Sequence, residues 1–231
     1  MVFFDFDYIL MVMIPGLLLS GWASFRVKRA FKKYSKVRSV TGMTGAQAAQ
    51  RLLAYAGITD VQVVATRGRL SDHYNPVTKK LALSEQVYGS NSVAAIGIAC
   101  HEAGHAIQHA KNYAPLWLRS TLVPMAGIGS NLGYIVMFLG LIMGATGMIL
   151  FGAVLFSAVV LFQLVTLPVE FDATARAKRL AVEQGLILQS ERVGMDRVLN
   201  AAAMTYVAAA VASLLTLLYF LMRAGLLGGR D

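Results

Sequence analysis

Charged side chains are scarce in this sequence. Asp, Glu, Lys and Arg fill 14% of the 231 positions while hydrophobic residues fill 57%. A soluble globular domain carries about a quarter charged residues, so the shortage excludes an ordinary water-soluble fold. Cysteine is scarcer still. Cys100 is the only one, and no intramolecular disulfide framework can hold the chain together. No internal repeat or low-complexity stretch stands out. No positive charge precedes the first apolar run, where Asp5 and Asp7 stand instead. No small-x-small cleavage site precedes the basic cluster that follows. Both absences argue against a removable secretory signal and for an uncleaved anchor.

The missing charges leave long apolar runs, and a span needs about 20 such residues to cross the hydrocarbon core. Tyr8 to Phe25 is uncharged between Asp7 and Arg26, and Val198 to Met222 is uncharged up to Arg223. Between them, Ser120 to Val169 carries no charge at all, which is room for two spans. The small residues Gly144, Ala145, Thr146 and Gly147 suit a tight turn in its middle. The expectation is a mainly α membrane protein with four transmembrane helices and a small α+β cytoplasmic domain. Its segments are 1–25 (first span), 26–118 (cytoplasmic domain), 119–167 (a hairpin of the second and third spans), 168–197 (cytoplasmic helical segment), 198–222 (fourth span) and 223–231 (tail). Gly127, Gly129, Gly133 and Gly140 would permit close helix packing, within one chain or between copies of a homo-oligomer.

The net charge of +9 could suggest nucleic acid, but its placement points to a bilayer. Arg26, Lys28, Arg29, Lys32, Lys33, Lys36 and Arg38 crowd the end of the first run. Such clusters mark the cytoplasmic side of a span and attract anionic headgroups. No recognisable nucleic-acid module accompanies the charge. With the amino terminus outside, 26–118 and 168–200 both face the cytoplasm of a bacterial inner membrane, because the hairpin between them crosses twice.

Within 26–118, Thr44 to Ala56 reads as a helix with Thr44 as N-cap and Gly57 closing it. Val61 to Thr66, rich in β-branched residues, reads as a strand, and Lys79 to Ser84 as a second one at a sheet edge. Asn75-Pro76 signals a turn. Asn91 or Ser92 caps a helix from Val93 to about Asn112, and Pro168 suits the first turn of a new helix ending before Gly185.

The first of those two helices carries His101-Glu102-Ala103-Gly104-His105, an HExxH pattern. Histidines four apart on a helix sit one turn apart on one face, so both imidazoles can reach one zinc ion. The metal would lower the pKa of a bound water, and Glu102 would act as general base in its attack on a peptide carbonyl. The bland reading is a pair of packed or capping histidines on a helix face. Only four histidines occur in the chain, and two fall in this register.

Three protein ligands are usual at a catalytic zinc, and Glu170 is the candidate for the third. A carboxylate directly after a span is costly unless paired or metal-bound, and the hairpin returns it to the face carrying His101. The alternative is a first-turn carboxylate favoured by the helix dipole. His109 lies eight residues after His101, about 12 Å along a helix, too far to share one ion with both other histidines. Gln108 occupies the position where the metzincin pattern needs glycine. His109 is left as a surface residue or a support to the ligands. Asp172 could hold the outer nitrogen of a ligand imidazole or pair with Arg176 at i+4. His73, in Leu70-Ser71-Asp72-His73-Tyr74-Asn75-Pro76, could hydrogen-bond an oxyanion or stabilise a polar loop. Lys80-Leu81-Ala82-Leu83 is a candidate edge on which an extended peptide substrate could dock.

Together, residues 70–76, Leu83-Ser84-Glu85, His101 through His109 and Pro168-Val169-Glu170-Phe171-Asp172-Ala173 resemble the YugP-like family of bacterial membrane zinc metallopeptidases. The likeness covers nearly the whole chain. It implies a zincin-like domain, one Zn2+ per chain on His101 and His105, Glu102 as catalyst, and peptides or membrane-protein segments as substrates. The family also looks like a distant relative of the HtpX-type quality-control proteases, which use a later glutamate as third ligand. In thermolysin-like sites an aspartate follows that glutamate by four residues, and Thr174 stands there in this chain. Two alternatives remain at this level: a non-catalytic zinc-stabilised membrane scaffold, and intramembrane proteolysis of the site-2 type. The latter needs HExxH within a span, and only Val93 to Cys100 precedes the motif as an apolar run.

Overall fold

A computed structural model of the chain describes residues 6–227; Asp5 and the last residues of the expected tail, 228–231, lie outside the described residues. Helix α1 (Phe6–Tyr34) carries the first apolar run and continues through most of the basic cluster. Then come α2 (Gly45–Tyr55), β1 (Gln62–Thr66), β2 (His73–Asn75), β3 (Lys80–Ser84), the short α3 (Glu85–Tyr88) and α4 (Val93–Ala110). Three long helices complete the described chain: α5 (Ala114–Met143), α6 (Thr146–Glu183) and α7 (Arg192–Arg223). By length and composition, α1, α5, α6 and α7 can each cross a membrane, as the apolar runs predict.

The chain divides into two compact units. The first joins the residues up to Ala23, Trp117–Leu167 and those from Thr205 onward. Its interior gathers Val12, Met137, Ile149, Phe156, Tyr219 and Phe220, while Leu17, Leu18, Phe151 and Val154 stay largely exposed. Exposed apolar side chains on such helices suit lipid rather than water. The expected turn is present: α5 stops at Met143, and Gly144 takes a left-handed φ of 62° before α6 begins. A methyl group on Gly129 would lie 2.4 Å from the Leu155 carbonyl oxygen, so α5 and α6 meet backbone to backbone. Gly133 and Gly140 also abut α6 of the same chain, whereas Gly127 faces open space.

The second unit joins Ser24–Leu116 to Pro168–Met204. Its core packs Leu52 and Leu53 of α2, Leu81 and Leu83 of β3, Ile96 and Ala99 of α4, and Ala177 and Ala181 of α6. Helix α2 begins as the sequence predicts. The Thr44 hydroxyl accepts from the Gln47 backbone N–H while the Gln47 side chain accepts from the Thr44 N–H. Such a reciprocal cap satisfies two donors that the first turn leaves unpaired. Ser92 caps α4 in one direction only, its hydroxyl accepting from the Ala95 N–H at 3.2 Å.

Two expectations are overturned here. The strand Lys80–Ser84 is not an edge: the order is β1-β3-β2, with β1 parallel and β2 antiparallel to it. Both of its ladders are used, so it cannot also pair with a docked peptide. The physical reason lies in β2, a three-residue strand whose polar sequence His73-Tyr74-Asn75 carries little strand signal. The central position also explains why Leu81, Ala82, Leu83 and Ser84 are all buried. Nor does a new helix start at Pro168. Helix α6 runs unbroken from Thr146 to Glu183 with Pro168 inside it. Proline removes one N–H and frees one carbonyl, which a long helix tolerates when neighbouring hydroxyls and packing take up the local change. Two residues before Pro168, the Thr166 hydroxyl donates to the Phe162 carbonyl.

Candidate metal centre

Helix α4 is almost entirely interior. Val93 to Gly97, Ala99, Cys100 and Glu102 to Gln108 are buried, and the His101 side chain keeps 13% of its surface exposed. This explains the run of small apolar residues around the HExxH pattern: every face of the helix meets protein. The closest meeting is at Gly104, where an added Cβ would lie 2.9 Å from the Ala173 carbonyl oxygen and 3.3 Å from its Cα. Only glycine lets α4 approach the backbone of α6 this nearly. Ala173 stands three residues after Glu170, so that approach sets the two ligand-bearing stretches side by side.

Three candidate ligand atoms converge as a result. The Nε2 atoms of His101 and His105 lie 3.2 and 3.5 Å from Oε2 of Glu170. One donor atom from each of the three residues falls within 4.8 Å of the others. The two rings meet edge to face, their centroids 4.8 Å apart. Glu170 itself is 2% exposed. A buried carboxylate is costly without paired charge, and here the two imidazoles are its partners.

The outer nitrogens of both rings are held. Nδ1 of His101 lies 3.3 Å from the Thr174 hydroxyl, so the residue standing where an aspartate falls in thermolysin-like sites does meet a candidate ligand. Nδ1–H of His105 donates to the side-chain carbonyl of Gln108 at 3.0 Å. Gln108 in turn donates from Nε2 to the Val169 carbonyl and to Asp172, each at 2.8 Å. Asp172 also accepts from Arg176 at 2.5 Å. Asp172 therefore pairs with Arg176 and meets Gln108 rather than an imidazole nitrogen.

Gln108 is the residue that sequence reasoning missed, having weighed it only as a departure from the metzincin glycine. Its spacing carried a signal, since a residue three after His105 on a helix shares its face. His109 points elsewhere, sharing a hydrogen bond of 2.8 Å with the Tyr74 hydroxyl of β2. It is not one of the three candidate ligands that converge. His73 is exposed and lies outside the cluster, its Nδ1 donating back to the Ser71 carbonyl at 2.8 Å, which favours the polar-loop role. The neighbouring Asp72 accepts from both the backbone N–H and the hydroxyl of Ser84, tying that loop to β3. Glu102 is 9% exposed and follows His101 directly on α4.

Burial alone would discourage a proton on His105. The hydrogen bond to Glu170 and the charges of Glu102 and Glu170 outweigh it and raise the imidazole above its ordinary range. Such a site attracts positive charge strongly, as a cation-binding centre must. Cys100, next to His101 in sequence, is the opposite case. Complete burial pushes its thiol up to about 12, so it is no nucleophile.

The donor set fits zinc. Two imidazole nitrogens and one carboxylate are a recurrent catalytic triplet for that ion, and hydrogen-bonded outer nitrogens are the usual support for ligand histidines. Among the described residues, His101, His105 and Glu170 are the group of three or more His, Cys, Asp or Glu side chains close enough to hold a metal.

Comparison with known proteins points the same way. Residues 9–225 match a family described as "Putative neutral zinc metallopeptidase". The chain is 47% identical over 218 residues to the "Putative membrane protease YugP" of Bacillus subtilis (strain 168), covering 94% of this chain and 96% of that one. No solved structure matches.

Proposed function

The chain belongs to the neutral zinc metallopeptidase family, and from that premise we propose that it is a membrane-anchored endopeptidase that cuts peptide bonds at the cytoplasmic face of the bacterial membrane. The observation that carries this reading is the meeting of His101, His105 and Glu170, with the general-base candidate Glu102 next to His101 in the chain. When bound, zinc would lower the pKa of a coordinated water and polarise a substrate carbonyl. His101 and His105 would hold the ion through Nε2, and Glu170 through its carboxylate. Thr174 and Gln108 would keep the two rings turned toward it. Glu102 would take a proton at its carboxylate as the peptide carbonyl is attacked and return it to the departing amine.

The cytoplasmic placement and a zincin-like character for the second unit belong to this proposal. The basic cluster from Arg26 to Arg38 supports the orientation through the positive-inside rule. Unfolded or membrane-protein segments are the proposed substrates, and quality control the proposed task. A site near the membrane end of an apolar helix is suited to chains emerging from the bilayer: Glu170 follows Leu167, the last residue of the apolar unit in α6, by three positions.

The decisive experiment pairs metal content with hydrolysis. Detergent-purified wild type should carry about one zinc per chain, as a single three-ligand site requires, and cleave an unfolded protein. Glu102→Gln should keep the zinc and lose cleavage. Full activity in that variant would refute the assigned chemistry.

A further inference from the structure

We propose that Gln108 is a positioning residue for the metal centre: its side-chain amide holds His105 as the Nδ1–H tautomer with Nε2 toward Glu170, and couples that ligand to the Asp172–Arg176 pair on α6. This inference rests on the zinc-peptidase reading and deepens it.

Gln108 is fully buried, which is unusual for a glutamine and tolerable only when its polar atoms are matched. Three contacts match them. The carbonyl accepts from His105, while the amide nitrogen spends its two hydrogens on the Val169 carbonyl and on Asp172. These partners also decide which way the amide points. A flipped amide would set its oxygen against a carbonyl and a carboxylate, two acceptors with no proton to give. With the flip excluded, the atom facing His105 must be the oxygen. An oxygen there requires the proton on Nδ1, and a neutral imidazole with Nδ1–H keeps its lone pair on Nε2. That is the nitrogen lying 3.5 Å from Glu170.

The arrangement differs from a direct carboxylate–imidazole contact. The Asp172 charge is one amide removed from the ring and already shared with Arg176. Gln108 thus orients the ligand without placing a negative charge against it. It also bonds to the carbonyl of Val169, the residue immediately before Glu170, so one side chain references a ligand from each helix.

Gln108→Met tests this cleanly, because methionine keeps nearly the same length and volume without hydrogen bonds. Asp172 would retain Arg176, and the Val169 carbonyl lies within a continuous helix. Among these partners, the group deprived of its acceptor is Nδ1–H of His105. Zinc affinity, measured by chelator competition on full-length protein in detergent, should fall about 10–100-fold, the usual cost of removing a hydrogen bond behind a ligand. Cobalt substituted for zinc should show an altered visible spectrum in the variant, which a loss of packing alone would not produce in protein that still melts cooperatively.

Wild-type affinity and an unchanged cobalt spectrum in Gln108→Met would overturn the proposal. A second measurement guards against a variant that fails to fold. Long-range nitrogen–proton correlations of the zinc-loaded wild type, whose four histidines are few enough to assign, should show the Nδ1–H form at His105. An Nε2–H form there would equally overturn it. Failure of wild type itself to bind zinc would instead sink the peptidase reading, and this inference with it.

Discussion

At the scale of single residues, the proposed centre separates metal holding from proton handling. Glu102→Gln should lower turnover by about 10²–10⁴-fold or more with zinc retained, because only the general base is lost. Metal analysis beside a protein-substrate assay checks both halves. Glu170→Ala should weaken zinc by more than the 10–100-fold expected for an outer support, since a ligand itself is removed; chelator competition reads it. The acid–base behaviour follows from His105. Its raised proton affinity means that, without metal, the charged imidazole stabilises the fold fully below the unfolded pKa of about 6.5. That contribution is lost as pH rises through the higher folded value. Zinc requires the neutral ring, so its stabilisation grows over the same interval. The increase in Tm produced by zinc should therefore be larger at pH 8 than at pH 6, as thermal unfolding with and without a chelator would show. His101, His105 and Glu170 stood out in the sequence because metal ligands must be particular residue types at particular spacings. Gln108 did not, because its spacing from His105 shows a shared helix face and not the hydrogen bond made there.

At the scale of helices and strands, Gly104 governs how closely α4 and α6 lie. Gly104→Ala should cost about 1–3 kcal/mol through overpacking, since the atoms it meets are backbone and cannot swing aside. The same change at Gly97 should cost less, because its nearest neighbour is Cγ of Met195, part of a flexible side chain. Thermal unfolding of the two variants side by side decides the order. Local chemistry made the caps at Thr44 and Ser92 and the turn at Gly144 readable in advance, for each depends on residues within a few positions. Sheet order is another matter. Which strand lies in the middle depends on pairing between segments, β1 meeting β3 across 80 − 62 = 18 residues, and β2 offered only three residues of weak strand character. The passage of α6 through Pro168 was likewise hidden, because a proline breaks or merely bends a helix according to surroundings that lie elsewhere in the chain.

For the molecule as a whole, the proposed orientation places the basic cluster in the cytoplasm. A thiol introduced by Lys36→Cys should resist a membrane-impermeant reagent in intact cells and react in inverted vesicles. Cys100 adds little background, being fully buried with its thiol pushed up to about 12. Labelling of intact cells would reverse the topology. The spans themselves were legible because an apolar run of the right length states its own destination. The discontinuity of the second unit has a further consequence, one of timing. His105 and Glu170 are 170 − 105 = 65 residues apart, and most of that interval belongs to the apolar unit. At a synthesis rate of about 5–20 residues per second, roughly 3–13 seconds separate the emergence of the second histidine from that of the glutamate. A chain halted at Val169 holds two of the three candidate ligands. The proposed metal centre is therefore complete only after the α5–α6 hairpin has been made, while α7 is still to come.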